Sequence, residues 1–326
     1  MQELKYPLFD GKKIWDGASV IIEDGVITSI KECDPKECGD GLLMPGLIDA
    51  HTHMESMSQV ERMLKNGITA TCDVNGSWNL IRFSEDLKIV SSAGMAMGLV
   101  INPKGFVEKA VKNGAKYIKV LLFSTVSIGK PALTGIVKAA HSKGLKVAVH
   151  ATEISTVKQT VDAGADILLH VPMKEAYPEE LAETIAEKGI AVAPTLVMME
   201  TFAKGRRNGY RPEQYVNAEN AVRLLHKKGV TILTATDANS GSFAPAVSFG
   251  PSLHREMELL QNAGLTSLEV LKSSTSTTAE VFGIEGKGFI TEGEKADMIL
   301  VGGRPDKKIT DTADIRQVWA GGRQII

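Results

Sequence analysis

The chain has 326 residues, of which 43% are hydrophobic and 23% are charged, a composition typical of a soluble globular protein. The formal net charge of -2 gives no indication of a nucleic acid or an anionic membrane as partner. No apolar run approaches a membrane span, and the start of the chain lacks the features of a signal peptide. The three cysteines form an odd, sparse set, which favours a reducing cytoplasm over a disulfide framework.

The two ends of the chain have a similar pattern of short β-like runs separated by turns. Asp24-Gly25 stands between two such runs and is typical of a hairpin turn. Neither end has enough strands to bury a core alone. We therefore expect residues 1–45 and 286–326 to pair into one small β-sandwich domain that brings the two termini together.

A loose repeat follows in the middle of the chain. A strand at 46–53 comes first, and then helical stretches end in glycine and are followed at once by a β-rich apolar run. Glycine just past a helix adopts the left-handed conformation at little cost and closes the last turn. The helix stops are at Gly67, Gly94, Gly114, Gly144, Gly164, Gly189 and Gly229. The predicted strands are 46–53, 68–75, 96–101, 115–122, 146–151, 165–171, 190–197 and 230–237.

Strands that alternate with helices pair in parallel through right-handed crossovers. Eight such units predict an α/β fold, a closed (β/α)8 barrel of the TIM type, over residues 46–285. The alternative is an open doubly wound sheet. No Gly-x-Gly-x-x-Gly follows the first strand, and only a closed barrel makes the first and last strands neighbours.

Residues that bind metal or move protons stand where predicted strands end. His51 and His53 end the first strand, and residues i and i+2 of a strand point to the same face. Four imidazoles, one carboxylate and one lysine form a set suited to one or two divalent ions of the zinc type. The set consists of His51, His53, Lys119, His150, His170 and Asp237.

Three stretches carry a family resemblance that covers nearly the whole chain. Pro45-Gly46-Leu47-Ile48-Asp49-Ala50-His51-Thr52-His53 resembles the signature of the amidohydrolase superfamily of metal-dependent hydrolases. Residues 286–301 resemble the return strands of its small β-sandwich. Residues 253–283 resemble the imidazolonepropionase and prolidase-like branch.

The resemblance implies a role for each candidate ligand. His51, His53 and Asp237 would hold one metal, most often Zn²⁺, and His150 and His170 a second. Lys119, carboxylated by carbon dioxide, would bridge the two, because a plain lysine is a cation and a poor ligand. Two alternatives stay open for Lys119: a solvated charge at a strand end, or a lysine beside a single metal. Asp49 supports the ligands or belongs to the core.

The resemblance also implies a reaction. Asp237 would carry a proton during metal-assisted hydrolysis of an amide in a small substrate such as a dipeptide, an N-acyl amino acid or a cyclic amide. A lactone or ester hydrolase with the same site is the first alternative. A catalytically inactive scaffold is the second, although loss of ligands would mark it. No Gly-x-Ser-x-Gly elbow is present to support a serine mechanism.

Substrate contacts are expected from loops after the strands. The candidates are His254, Arg206, Arg207 and Trp78. Arg206 and Arg207 belong to a basic stretch that either grips a substrate carboxylate or is a solvated run of charge. The partner is then a small molecule, and the sequence leaves homo-oligomerisation open.

Overall fold

The computed structural model describes residues 1–74, 86–124, 128–242 and 244–326, and of Arg207 it describes the backbone alone. The strands are β1 (Gln2–Phe9), β2 (Ile14–Glu23), β3 (Val26–Glu32), β4 (Leu42–Pro45), β5 (Leu47–Thr52), β6 (Ile68–Asp73), β7 (Lys88–Ser91), β8 (Met95–Ala96), β9 (Ile118–Leu121), β10 (Val147–His150), β11 (Ile167–Leu169), β12 (Ala191–Ala193), β13 (Met298–Val301), β14 (Ile315–Ala320) and β15 (Arg323–Gln324).

The described α-helices mostly lie between the strands of the middle region. They are α1 (Met57–Lys65), α2 (Pro103–Lys112), α3 (Lys130–His141), α4 (Ile154–Ala163), α5 (Glu179–Glu187), α6 (Leu196–Lys204), α7 (Tyr215–Lys227), α8 (Pro251–Asn262), α9 (Ser267–Ser273) and α10 (Ser276–Phe282). None of the helices in these described ranges combines the length and the apolar character needed to cross a membrane.

Strands from both ends of the chain form one seven-stranded sheet in the order β15-β14-β13-β4-β1-β2-β3. Successive side chains along its strands point to opposite faces, and both faces are buried. Leu42 and Met44 join the large core of the middle region, whereas Leu43 joins a separate cluster with Leu8 and Trp319. The start of β3 is also hydrogen-bonded to the segment before β13, where the Ile27 amide donates to the Glu294 carbonyl at 2.9 Å and the Gly293 amide donates to the Ile27 carbonyl at 2.8 Å.

The hairpin predicted at Asp24-Gly25 is confirmed. Glu23 pairs with Val26 across the turn, and both turn residues have positive φ, 50° for Asp24 and 80° for Gly25. Such values fit the two-residue turn that matches the twist of the flanking strands.

The middle region contains two parallel sheets, β5-β6-β7 and β8-β9-β10-β11-β12. Residues 230–238 run between the outer strands of both. Val192 of β12 donates to the Thr231 carbonyl at 2.8 Å, and Ala50 of β5 donates to the Thr234 carbonyl at 3.0 Å. The eighth predicted strand is therefore an extended segment that is hydrogen-bonded to the first and to the seventh.

The predicted third strand, 96–101, is wrong. The structure has two short strands here instead. β7 (Lys88–Ser91) pairs with β6, and β8 (Met95–Ala96) pairs with β9. Ala93 and Gly94, with φ of 53° and 113°, interrupt this strand. The Ala-Gly pair looked like a helix stop in the sequence, but here its left-handed backbone breaks a strand.

The helices cover the parallel sheets with apolar stripes at helical spacing. In α3, Leu133, Ile136, Val137 and Ala140 are buried. His141 ends that helix and is exposed, so it belongs to the outer layer. Its ring nitrogen lies 2.9 Å from the Asp166 carboxylate.

Candidate metal centre

The end of β5 and the end of the extended segment 230–238 bring three candidate ligands together. His51 Nε2 lies 3.4 Å from Asp237 Oδ1, and His53 Nε2 lies 2.9 Å from the same oxygen. One ligand atom from each of the three residues lies within 4.8 Å of the other two. The i, i+2 spacing therefore places both imidazoles beside one carboxylate, as expected from a strand.

Two further histidines adjoin this group. The ring centroids of His170 and His51 are 5.1 Å apart, and those of His150 and His170 are 4.4 Å apart. His170 Nδ1 is hydrogen-bonded to the Thr195 hydroxyl at 2.7 Å. That bond fixes the ring through one nitrogen and leaves Nε2 available to a metal, the usual arrangement of a metal-binding histidine.

Three residues at neighbouring strand ends have the left-handed backbone that non-glycine residues rarely adopt. His170 has a φ of 70°, Thr195 of 51° and Asp237 of 59°. Such strain clusters at functional sites, where the surrounding structure maintains it. Here it turns the chain sharply at the edge where the candidate ligands lie.

Lys119 lies among these groups with only 1% of its surface exposed. Burial lowers the pKa of its amine to about 7, although the Asp237 carboxylate acts in the opposite direction. Burial is also the main cause that lowers the pKa of His150, to about 3, and Lys119 adds to it. Without metal, the buried imidazoles are therefore neutral, which is the form that binds metal.

His51 shows that these residues fit a metal. Both of its ring nitrogens are buried, and neither has a hydrogen-bond partner among the described residues. A buried polar group without a partner costs about 1–3 kcal/mol. A divalent ion bound by His51, His53 and Asp237 would occupy one of the two His51 nitrogens and remove the cost for that nitrogen, and nitrogen plus carboxylate oxygen is a donor set typical of zinc.

Asp49, two residues before His51, is in a different situation. Its carboxylate accepts hydrogen bonds from the Thr236 hydroxyl at 2.6 Å, the Thr236 amide at 3.1 Å and the His51 amide at 3.2 Å. Burial raises its pKa to about 7. Asp49 therefore holds β5 to the segment 230–238 and belongs to the core, which decides between the two roles open at the sequence level.

A cavity of about 420 Å³ opens over the candidate ligands. Its apolar wall consists of Leu121, Leu122, Phe123, Met199, Phe202 and Ala244. Its polar wall consists of Glu55, Ser124, Thr152, Glu153, Thr156, Lys174, Asn208, Tyr210, Asn239, Ser240 and Ser242. His51, His53, Lys119, His150, His170 and Asp237 all line it.

The expected substrate contact of His254 needs correction, because His254 lies away from this cavity. One of its ring nitrogens is bonded to the Thr312 hydroxyl and the other to the Asn66 carbonyl, each at 3.1 Å. With both nitrogens used, it joins α8 to neighbouring elements. Its position near a helix start gave no signal that would separate this role from substrate contact.

The basic stretch around Arg206 contributes to the cavity lining, but with different residues from those expected. Arg206 is exposed and is not among the residues that line the cavity. Asn208 and Tyr210, a few residues further on, do line it. Trp78 and the side chain of Arg207 lie outside the described residues, so their predicted roles stay predictions.

The sequence analysis missed three charged residues of the polar wall, Glu55, Glu153 and Lys174. Lys174 Nζ lies 3.7 Å from Glu153 Oε1 and 5.3 Å from the centre of the Tyr210 ring. Glu153 follows His150 by three residues and Lys174 follows His170 by four. Polar residues just beyond a ligand-bearing strand end were the signal that could have found them.

Comparison with known proteins agrees with this geometry. The amidohydrolase family model matches residues 42–325. The imidazolonepropionase of Idiomarina loihiensis is 24% identical over 336 residues, which covers 80% of this chain and 77% of that protein.

Solved structures resemble the whole chain at low sequence identity. A Xaa-Pro dipeptidase with methionine bound in its active site has a TM-score of 0.83 and 20% identity, covering 99% of this chain and 98% of its own. A prolidase complexed with N-methylphosphonate-L-proline has a TM-score of 0.79 and 20% identity, with 99% and 98% covered. At this identity the likeness shows the fold alone.

Proposed function

This chain belongs to the amidohydrolase family, and we propose that it is a metal-dependent hydrolase that cleaves an amide bond of a small substrate. Dipeptides, N-acyl amino acids and cyclic amides are the candidate substrates. The observation that carries the proposal is the group of His51, His53 and Asp237 lining a cavity, with both His51 ring nitrogens buried and without a hydrogen-bond partner among the described residues. Membership of the family supports hydrolysis of amide-type substrates.

The proposal includes a closed (β/α)8 barrel over residues 46–285 and a second domain built from 1–45 and 286–326. Hydrogen bonds from the segment 230–238 to both β5 and β12 support closure on one side. On the other side, the interrupted strand 88–96 pairs with β6 and with β9. The similarity in fold to the Xaa-Pro dipeptidase supports the same architecture.

We propose that His51, His53 and Asp237 hold one zinc-type ion and that His150 and His170 hold a second. Lys119, carboxylated on Nζ, would then bridge them. Its burial among four imidazoles supports this role, because an uncarboxylated lysine offers them only a cation or a neutral amine. A single metal on His51, His53, His170 and Asp237 is the alternative.

A divalent metal bound here would supply a water of lowered pKa and would polarise the carbonyl under attack. Asp237 would accept a proton from the attacking water and return it to the leaving nitrogen. Its carboxylate is only slightly exposed and faces the cavity, whereas the neighbouring carboxylate of Asp49 is fully engaged in hydrogen bonds. The apolar wall limits access of bulk water.

The polar wall would orient the substrate. Lys174 is suited to a carboxylate end group, and Glu55 or Glu153 to an amine. The prolidase-type neighbours by name act on dipeptides, and imidazolonepropionase by name on a cyclic amide, so both classes belong in a first screen. A lactone or ester hydrolase would use the same site, and an inactive scaffold would not need six polar side chains around one cavity.

The test combines metal content with a substrate panel. Purified chain should contain divalent metal and should hydrolyse at least one member of a panel of dipeptides, N-acyl amino acids and cyclic amides. His53→Ala is the matched negative control, since it removes one ligand at the partly exposed rim. Hydrolysis of lactones or esters without any amide would favour the first alternative. Metal binding without hydrolysis of any class would favour the inactive scaffold.

A further inference from the structure

Cys33 and Cys38 lie outside the metal centre, in the connection between β3 and β4 of the sheet formed by the chain ends. Their sulfur atoms are 3.6 Å apart, and both residues are partly exposed. Cys72, by contrast, is fully buried. The two thiols are therefore in contact with each other and within reach of a small reagent.

A tight turn produces this contact. The Asp34 carboxylate accepts a hydrogen bond from the Lys36 amide at 3.0 Å, and the Cys38 amide donates to the Pro35 carbonyl at 3.2 Å. Beyond the turn, the Gly39 amide donates to the Lys5 carbonyl at 2.8 Å, which ties the returning chain to β1. The local backbone thus holds the two cysteines together in the reduced protein.

Gly17 on β2 allows the turn to pack closely. A Cβ atom at this position would lie 2.8 Å from the Cys33 carbonyl oxygen and 3.0 Å from the Cys38 sulfur. Real Cβ atoms are essentially never found in the first of these contacts, so a side chain would displace the turn. The absence of a side chain at Gly17 is therefore part of what places the thiols together.

We propose that Cys33 and Cys38 are a reversible oxidation site, which a small disulfide such as oxidised glutathione converts into an intramolecular disulfide. One thiolate attacks the glutathione disulfide and releases one glutathione thiol. The second cysteine thiolate then attacks the mixed disulfide, forms the Cys33–Cys38 bond and releases the second glutathione. Two protons and two electrons pass from the cysteines to the two glutathione sulfurs, so the exchange balances.

Geometry favours this product over the alternatives. The sulfurs need to approach from 3.6 Å to about 2.05 Å, a shift that side-chain rotation supplies in part. Among the described residues, the group with three or more metal-binding side chains is His51, His53 and Asp237, so the cysteines lack the further ligands of a zinc site. Neither cysteine lines the cavity, so oxidation should leave the hydrolytic site intact.

The test uses the full-length protein, reduced and then equilibrated with glutathione buffers from reducing to oxidising. Acid quenching, unfolding and alkylation follow, and intact mass counts the free thiols. The reduced chain should take up three alkyl groups, one for each cysteine, and the oxidised chain only one. Peptide mapping should locate the link between Cys33 and Cys38. Three alkyl groups throughout, a glutathione adduct without the link, or a link between two chains would overturn the proposal.

Two variants sharpen the result. Cys72→Ser should take up two alkyl groups when reduced and none when oxidised, because Cys72 takes no part in the exchange. Gly17→Ala should need a severalfold more oxidising glutathione ratio for half-conversion, since the added Cβ displaces the turn. An unchanged midpoint in Gly17→Ala would contradict the role of the close packing.

Discussion

Two polar clusters lie one residue layer apart where β5 and the residues after it adjoin the segment 230–238. They differ in whether their buried polar atoms have hydrogen-bond partners. The deeper cluster, Asp49 with Thr236, is complete: the carboxylate accepts three hydrogen bonds. In the outer cluster, His51, His53 and Asp237, both ring nitrogens of His51 are buried without a partner. The deeper cluster is explained by the fold alone, whereas the unsatisfied ring nitrogens of the outer cluster support the proposal that it binds a ligand from outside the chain.

Backbone conformation marks one member of the outer cluster, Asp237, and not its two histidines. Asp237 has a φ of 59°, and His170 and Thr195 nearby share the left-handed conformation, whereas Asp49 and Thr236 do not. Each such residue costs of order 1–3 kcal/mol at most, and proteins retain such costs where function requires them. The comparison therefore supports a role of Asp49 in stability and is consistent with the function proposed for the residues beyond it.

Asp237→Asn should have the largest effect on rate. The amide still offers an oxygen to a metal, but it cannot accept a proton. We expect kcat to fall by about 10²–10⁴-fold while the far-ultraviolet circular dichroism spectrum is unchanged. Steady-state kinetics on the best substrate of the panel is the measurement. A rate close to that of the wild type would place the proton transfer on another residue.

Lys119→Ala tests whether a second metal lies beside the one proposed for the outer cluster. If Lys119 is a carboxylated bridge, the variant should lose one metal per chain and most activity. Short carboxylic acids at high concentration should partly restore both, because they supply bridging oxygens. Native mass spectrometry of the wild type should show the added mass of carbon dioxide on Lys119. One metal per chain before and after the substitution, with no added mass, would leave the single-metal alternative.

Asp49→Ala should separate stability from function. Removing the carboxylate leaves the Thr236 hydroxyl and two amides without their acceptor, and we expect the metal-free protein to lose about 2–3 kcal/mol in free energy of unfolding. His51→Ala, measured in the same metal-free state by urea denaturation, should lose far less, because the described ring nitrogens make no hydrogen bond that the substitution would break. Equal losses in the two variants would remove the distinction between the clusters.

Thr195→Val is expected to have the smallest effect. The substitution keeps a β-branched side chain but removes the hydroxyl that holds the His170 ring. Partners of this kind typically change metal affinity or activity by about 10–100-fold. Thr201→Val is the matched control, since its hydroxyl is bonded only to the Val197 carbonyl within the same helix. Metal titration of both variants is the measurement, and equal affinities would mean that His170 needs no such support.

The sequence predicted that the candidate ligands meet at one place, because a polar residue that ends an apolar run marks a strand end, and this signal is local. His51, His53, Lys119, His150, His170 and Asp237 all line one cavity in the structure. The third strand was misplaced because Ala93-Gly94 produces the same signal in a broken strand as in a helix stop.

Substrate contacts could not be predicted in the same way. His254 and Lys174 are both polar residues near element ends. His254 is hydrogen-bonded through both ring nitrogens, to Thr312 and Asn66, whereas Lys174 lines the cavity. Which of the two occurs depends on packing between segments far apart in the chain. The contact between Cys33 and Cys38 likewise depends on a close approach to Gly17 on another strand.

Metal content is the most direct test of the central claim that the outer cluster binds a divalent ion. The wild-type chain, purified without chelators and analysed by inductively coupled plasma mass spectrometry, should contain one or two equivalents of a zinc-type metal. His51→Ala and His53→Ala should contain markedly less, while Asp49→Asn, one layer deeper, should retain its metal if it folds. Wild-type metal content in both histidine variants, or an active wild-type enzyme free of metal, would contradict the account.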